Sequence, residues 1–243
     1  MNDSVRVIKL GGSLLSDPQL VAHLRRWLTQ DRASGGAQAQ SSLIWIIGGG
    51  LLADAIRQWD HLHQLGERPC HEFCLQLMST TARIGQQLLA AALSVPQEPP
   101  HHQEPLHPRE FPQAVAIPQA EAIPRLASWH SLRSWLGEPK PNTRMAVFDV
   151  GRVLLEDPVA EQAADLAATW HLTSDSLAAW VATRIEATEL TLLKSCSPPD
   201  PPTRAAAVRA GIVDESFAVQ SAALRRVAFV QLASSTTTWL DCD

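Results

Sequence analysis

Hydrophobic positions along the chain fall into short β-branched runs and longer stretches at helical spacing, and the two kinds alternate. Val5-Arg-Val-Ile8 and Leu43-Ile-Trp-Ile-Ile47 read as buried strands, as do Met145-Ala-Val-Phe-Asp-Val150, closing at Gly151, and Leu190-Thr-Leu-Leu-Lys-Ser195. Leu20, Val21, Leu24 and Leu28 mark one face of a helix from Pro18 to about Trp27, and the polar piece Asp31 to Ser42 reads as a loop. Leu51 to Trp59 predicts a helix, and Phe73, Leu77, Ile84, Leu88 and Leu89 supply the expected buried stripe of a longer one from about His71 to Leu93. Further on, the pattern predicts a short strand over Ala114–Ile117 and helices over Ile123–Leu136 and Val159–Trp170. Strands alternating with helical runs point to βαβ units, and so to an α/β fold with a mainly parallel sheet.

Two of these strands end in glycines. Lys9-Leu-Gly-Gly-Ser13 follows the first, and Ile47-Gly-Gly-Gly50 follows the second and leads straight into a helix. Glycine turns bare the backbone amides for close approach of a ligand, and the carboxyl ends of parallel strands are where open α/β sheets bind one. Lys9 sits there with a compact positive charge suited to a phosphoryl group. The pattern is not the phosphate-binding loop of Gly-Lys-Ser/Thr type, since no such triplet follows. Downstream, Thr173 and Ser174 form a natural helix start, Asp175 falls in the first turn, and Lys194 closes another strand. Singly, these are a cap, a favourable first-turn charge and a solvated strand end; together, two lysines, an aspartate and two glycine turns can converge on polyphosphate.

Length and composition narrow the class. The 243 residues fit one large α/β domain or two joined lobes, and 45% hydrophobic residues exclude disorder for most of the chain. A net charge of -5 argues against a nucleic-acid or anionic-membrane surface. The sequence shows no secretory leader and no apolar run long enough to span a bilayer, so a cytoplasmic protein is expected. Cys70, Cys74, Cys196 and Cys242 lack the spacing of a disulfide framework or zinc site, and Cys70 and Cys74 are expected as buried or partly buried free thiols. No metal site is expected, and the segment Val95 to Pro108, with five prolines and His101, His102 and His107, reads as an extended loop.

In this order the motifs resemble the amino acid kinase superfamily, which includes acetylglutamate, aspartate, uridylate and isopentenyl phosphate kinases. The matching pieces are Lys9-Leu-Gly-Gly-Ser13, Ile47-Gly-Gly-Gly50, Thr173-Ser-Asp-Ser-Leu-Ala178 and Leu192-Leu-Lys194. The resemblance implies a three-layer αβα sandwich over residues 1–243, with an acceptor-binding half over 1–155 and a nucleotide-binding half over 156–243. Trp170-His-Leu-Thr-Ser-Asp-Ser-Leu-Ala-Ala-Trp180, Leu192-Leu-Lys-Ser195 and Gly211-Ile-Val-Asp-Glu-Ser-Phe217 look most like the methanofuran-pathway branch, whose members phosphorylate an aminomethylfuran-methanol phosphate to its diphosphate. That implies ATP-dependent transfer, with Mg²⁺, onto a phosphate monoester.

The resemblance implies roles by position. Lys9 would bridge acceptor and γ-phosphate, Gly11 and Gly12 with Ser13 would receive the transferring group, and Gly48, Gly49 and Gly50 would contact the acceptor. Asp175 would organise the lysines, Lys194 would contact ATP phosphates, and Thr173 and Ser174 would line the nucleotide side. Acetylglutamate kinases carry a second lysine after the Gly-Ile-x-Asp region, but Phe217-Ala-Val-Gln220 has none, so Lys194 must substitute or the rate must suffer. Cys196-Ser-Pro-Pro-Asp200 also replaces the Val-Asp-Gly of many relatives. An ammonium-bearing acceptor wants a carboxylate, for which Asp54, Asp60 and Glu72 are candidates. Two other readings stand beside this one: an acyl-phosphate-forming kinase on an amino-acid-like carboxylate, and a nucleotide-binding protein without turnover. Family habit and the apolar run Phe73–Leu93 predict a homo-oligomer.

Overall fold

The computed structural model describes residues 4–34, 41–94, 123–139, 144–157, 166 and 172–242. Seven strands form one sheet: β1 (Ser4–Leu10), β2 (Ser41–Ile47), β3 (Arg125–Leu126), β4 (Arg144–Phe148), β5 (Glu189–Lys194), β6 (Val227–Gln231) and β7 (Thr236–Trp239). Their order is β3-β4-β2-β1-β5-β6-β7, and every neighbouring pair is parallel except β6 with β7. The helices are α1 (Leu20–Ser34), α2 (Leu51–His63), α3 (Glu67–Leu93), α4 (Trp129–Gly137), α5 (Val150–Glu156), α6 (Ser174–Arg184), α7 (Arg204–Arg209) and α8 (Phe217–Ser221).

Alternation along the strands builds two cores, one on each face of the sheet. Ile8 and Leu10 of β1, Trp45 and Ile47 of β2 and Leu193 of β5 pack with Leu24 and Trp27 of α1 and Ala82 and Leu89 of α3. Val7 of β1, Ile44 and Ile46 of β2, and Leu190 and Leu192 of β5 face the other way, against Leu177, Ala178 and Val181 of α6. The result is the three-layer αβα sandwich with a mainly parallel central sheet. Because side chains alternate, Lys9 shares the face of Val7, and Lys194 that of Leu190 and Leu192. Both lysines therefore point at α6.

Several predicted boundaries move. α1 runs on through residues read as a loop, to Ser34. The stripe expected on α3 is rotated: Phe73 and Ile84 are exposed, and the buried residues include Cys70, Leu75, Met78, Ala82, Gly85 and, as expected, Leu89. Gly85 and Gly151 explain the rotation, since a Cβ on Gly85 would meet Ile47 Cγ1 at 2.6 Å and one on Gly151 would meet Leu75 O at 2.1 Å. Gly151 accordingly lies inside α5, not at a strand end, and Asp149 caps that helix by accepting from Arg152 N–H. The helix predicted over Ile123–Leu136 starts only at Trp129, because Ser128 and Ser131 form a capping box there and Arg125–Leu126 pair with β4. The predicted strand 114–117, the helix 159–170 and the Pro/His segment 95–108 lie outside the described residues, apart from residue 166.

Candidate active site

Strand β1 ends at Leu10, and Gly11 extends its pairing by donating its N–H to Leu193 O at 2.9 Å. Gly48 does the same beyond β2, donating to Leu10 O at 3.0 Å. These two glycines carry the sheet one residue further and bring the turns of β1, β2 and β5 to one level. Gly12 and Gly50 then meet backbone to backbone: a Cβ on Gly12 would lie 2.2 Å from Gly50 N, and one on Gly50 2.6 Å from Gly12 O. Gly50 also has φ +61°, a conformation that side chains disfavour. A Cβ on Gly48 would meet Ser174 Oγ at 2.9 Å, so α6 begins against the same turns.

Helix α6 is buried almost all round, from Asp175 to Ala182, and its first turn delivers one carboxylate beneath the two lysines. Lys9 Nζ lies 2.8 Å from Asp175 Oδ1 as an ion pair. Lys194 Nζ donates to Asp175 Oδ2 at 2.6 Å and to Ile212 O at 2.7 Å. Exposure of Lys9, Asp175 and Lys194 is 3%, 5% and 8%, so two positive charges and one negative are held nearly dry. Burial pushes the Lys9 ammonium down to about 8; Asp175 opposes the change and Lys194 adds to it. Burial pushes the Asp175 carboxyl up, but Lys9 and Lys194 together outweigh it and hold the group below its ordinary value. These three groups carry one surplus positive charge between them, partly offset by Asp214, which also acts on Lys9. The sequence contains only three lysines, and two of them are here.

Two clefts open beside this cluster and share Thr173 as a wall. The first, of about 190 Å³, is lined by Gly12, Ser13, Gly49 and Gly50, by Thr173 and Ser174, and by Leu75 and Met78 of α3. Its polar rim comes from Asp54 and Arg57 of α2, 2.7 Å apart, and from His71 and Cys74. Of the three carboxylates considered from sequence, Asp54 alone lines this cleft; Asp60 accepts from Gly66 N–H at 2.8 Å and Glu72 lies 3.5 Å from Arg68. The second cleft, of about 370 Å³, is lined by Thr173, Asp175, Val208 and residues 211–215.

Every site residue expected from sequence thus falls at one place, with Gly11 and Gly48 joining strands and Gly12, Gly49, Gly50, Ser13, Thr173 and Ser174 facing the first cleft. Thr173 caps α6 by accepting from Asp175 N–H at 3.5 Å and donates its hydroxyl to Asp214 at 2.7 Å. Asp214 is the residue that sequence reasoning left without a role, although Gly211-Ile-Val-Asp214 stood out as a motif. Asp149 is a second: exposed by 1%, it accepts from Ser79 Oγ at 2.7 Å and pairs with Arg125 at the carboxyl edge. Cys70 is buried and Cys74 half-buried as free thiols. No helix among the described residues is long and apolar enough to cross a membrane.

Comparison with solved structures returns the same architecture. UMP kinase from Ureaplasma parvum aligns over 97% of this chain and 93% of its own, at 10% identity and a TM-score of 0.55. Aspartate kinase from Synechocystis aligns over 98% of this chain and 40% of its own, at 13% identity and a TM-score of 0.54. Uridylate kinase from Archaeoglobus fulgidus aligns over 79% of this chain at 18% identity and a TM-score of 0.40, and the chain spans 64% of its length. No curated protein sequence matches the chain. The sequence model of the amino acid kinase family matches residues 4–197, which hold both glycine turns, Asp175 and Lys194. The chain belongs to the amino acid kinase family, a family of phosphotransferases.

Proposed function

We propose that the protein is an ATP-dependent kinase that transfers the γ-phosphoryl group onto a phosphate monoester. The observation that carries this reading is the buried Lys9–Asp175–Lys194 cluster, with its surplus positive charge, set between two clefts. The first cleft, lined mostly by the half formed by residues 1–155 and closed by Thr173 and Ser174, takes the acceptor, and the second cleft, in the half formed by residues 156–243, takes the nucleotide. Lys9 bridges acceptor and γ-phosphate, and Lys194 meets the nucleotide phosphates. The turn backbone at Gly12 and Gly49 cradles the group in transfer. Phosphoryl transfer needs little covalent help, so positioning and charge neutralisation supply most of the rate.

The site suits an acceptor that needs no general base. Asp175 has both oxygens against lysines and a lowered pKa, which makes it a poor general base. An acceptor that is already anionic at neutral pH needs no base; a phosphate monoester and a carboxylate both meet that condition, and the motifs shared with the methanofuran-pathway branch favour the phosphate monoester. Magnesium fits as part of the nucleotide complex and not as a protein-held ion. Both Asp175 oxygens meet lysines, and both Asp214 oxygens accept hydrogen bonds. Within this class the motifs shared with the methanofuran-pathway branch favour an aminomethylfuran-methanol phosphate. Asp54 at the rim is placed to meet its ammonium, and Leu75 and Met78 to lie under its ring. The protein acts as a homo-oligomer in this reading, since α2 and α3 carry Leu51, Leu52, Trp59, Leu62, Phe73 and Ile84 exposed.

The test is incubation with ATP, Mg²⁺ and a panel of phosphate monoesters and carboxylic acids, followed by mass spectrometry. A diphosphate product that disappears in Lys9→Ala supports the proposal. An acyl phosphate would replace it with the carboxylate reading, and ATP binding without product would replace it with a binding role. Light scattering that shows only monomer at micromolar concentration would remove the oligomer.

A further inference from the structure

The loop between α7 and α8 walls the second cleft with residues 211–215 and also reaches the catalytic cluster. Asp214 Oδ2 accepts from Thr173 Oγ1 at 2.7 Å and from Ser176 N–H at 3.2 Å. Its Oδ1 accepts from Ser216 N–H at 3.2 Å and from the Ser176 hydroxyl. Two residues earlier, Ile212 O accepts from Lys194 Nζ at 2.7 Å. One short loop therefore grips both members of the Lys194–Asp175 pair, one through its backbone and the other through the turn that carries it. A capping role alone would not require this, because Thr173 already caps α6.

We propose that Asp214 is a positioning residue for phosphoryl transfer, locking the wall of the nucleotide cleft to the α6 turn that carries Asp175, so that nucleotide and catalytic cluster sit in one rigid frame. This deepens the kinase reading and rests on it for the identity of the nucleotide. A carboxylate supplies charge here as well as bonds. The charged groups that act on Lys9 are Asp175 from α6, Lys194 from β5 and Asp214 from this loop, and Asp214 helps keep the Lys9 ammonium protonated. Asparagine in its place keeps the shape and most of the hydrogen bonds but removes that charge.

With only three lysines in the chain, the titration of Lys9 can be followed by carbon-13 NMR of labelled lysine, with assignment by single Lys→Arg variants. In Asp214→Asn the Lys9 midpoint is expected to fall below that of the wild type, and the alkaline limb of turnover to move down with it. We expect kcat to drop about tenfold or more, as lost positioning does, with the acceptor KM within about twofold of wild type, because Asp214 does not line the acceptor cleft. Ser176→Ala, which removes one hydroxyl partner, gives the same pattern to a smaller degree and serves if Asp214→Asn fails to fold. An unchanged Lys9 midpoint with unchanged kcat, accompanied only by a lower Tm, would overturn the proposal and leave Asp214 as a structural tie. Failure of the kinase reading looks different: the wild type itself makes no product. In that case the role in transfer falls with the kinase reading, and the NMR midpoint decides only whether Asp214 acts on the Lys9 cluster.

Discussion

Strands β1 and β5 carry buried charge at both ends, and the two ends are built to opposite purposes. At the amino end, Arg6 sits opposite Glu189, pairs with it at 2.9 Å and pairs with Asp31 at 2.7 Å. Burial works against the Arg6 guanidinium, yet the hydrogen bond it donates to Asp31 and the charge of Glu189 more than compensate and raise its pKa. Glu189 also accepts from the Thr191 hydroxyl at 2.8 Å and forms an ion pair with Arg226 at 3.6 Å. That network closes on itself. At the carboxyl end, two lysines share one carboxylate and the Lys9 pKa is lowered to about 8. The contrast teaches that burial of charge does not by itself mark a candidate site; two cations sharing one directly paired carboxylate beside a cleft is the stronger sign.

The sharpest way to break that contrast is to remove one cation from each end. Lys9→Ala should cut phosphoryl transfer by about 10³-fold, the scale of losing a preorganised stabilising group, while calorimetry shows a Tm close to wild type. Arg6→Met should do the reverse. It strands Glu189 and Asp31 and costs about 3 kcal/mol of stability by denaturant unfolding, with kcat of the folded protein unchanged. A folded but inactive Arg6→Met, or an unfolded Lys9→Ala, would erase the distinction between the two ends.

Gly12→Ala should lower turnover by about 10²-fold, the scale of a displaced reacting group, because the added methyl would lie 2.2 Å from Gly50 N and push the two turns apart. Measuring kcat and acceptor KM checks it. The pH dependence sharpens the comparison more gently. As pH rises through about 8, Lys9 in the free protein loses its proton, so kcat/KM should fall there, and bound nucleotide should push the limb of kcat to higher pH. Stability moves the other way. The unfolded chain keeps this lysine protonated to about 10.5, so between about 8 and 10.5 unfolding takes up a proton and stability rises with pH. Lys9→Met should lack that rise in a denaturant series. Smallest of all, Asp54→Asn should raise KM about threefold for a cationic acceptor, because an exposed carboxylate contributes little, and should leave KM for an uncharged analogue unchanged.

Much of the site was legible because its parts announce themselves locally. Lysine and glycine at the end of an apolar run, and Thr-Ser-Asp at the start of a helical one, have few other uses in combination. The meeting of Lys9 and Lys194 over Asp175 follows from strand parity, which the sequence carries, and from strand order, which it does not. Asp214 stayed hidden because its partners are Thr173 and Ser176, far away in the chain, and no local pattern distinguishes it from the neighbouring Glu215. The choice of Asp54 over Asp60 and Glu72 needed the orientation of α2 against the glycine turn. The stripe on α3 was misread for a related reason. Phe73 and Ile84 fit helical spacing, but the helix is turned by Gly85 against Ile47 and by Leu75 against Gly151, contacts that hydrophobicity alone cannot weigh.

The backbone contact between Gly12 and Gly50 constrains how this protein can change over time. Each glycine occupies the space that a side chain on the other would need, so neither position can drift alone, and no substitution at one is rescued by enlarging the other. The two turns are inherited as a unit. A chimaera that takes β1 and its turn from one relative and β2 and its turn from another should work only where both parents kept glycine at both places. New substrate preferences would then arise at the rim, around Asp54, Arg57, His71 and Cys74, while the turns beneath stay fixed.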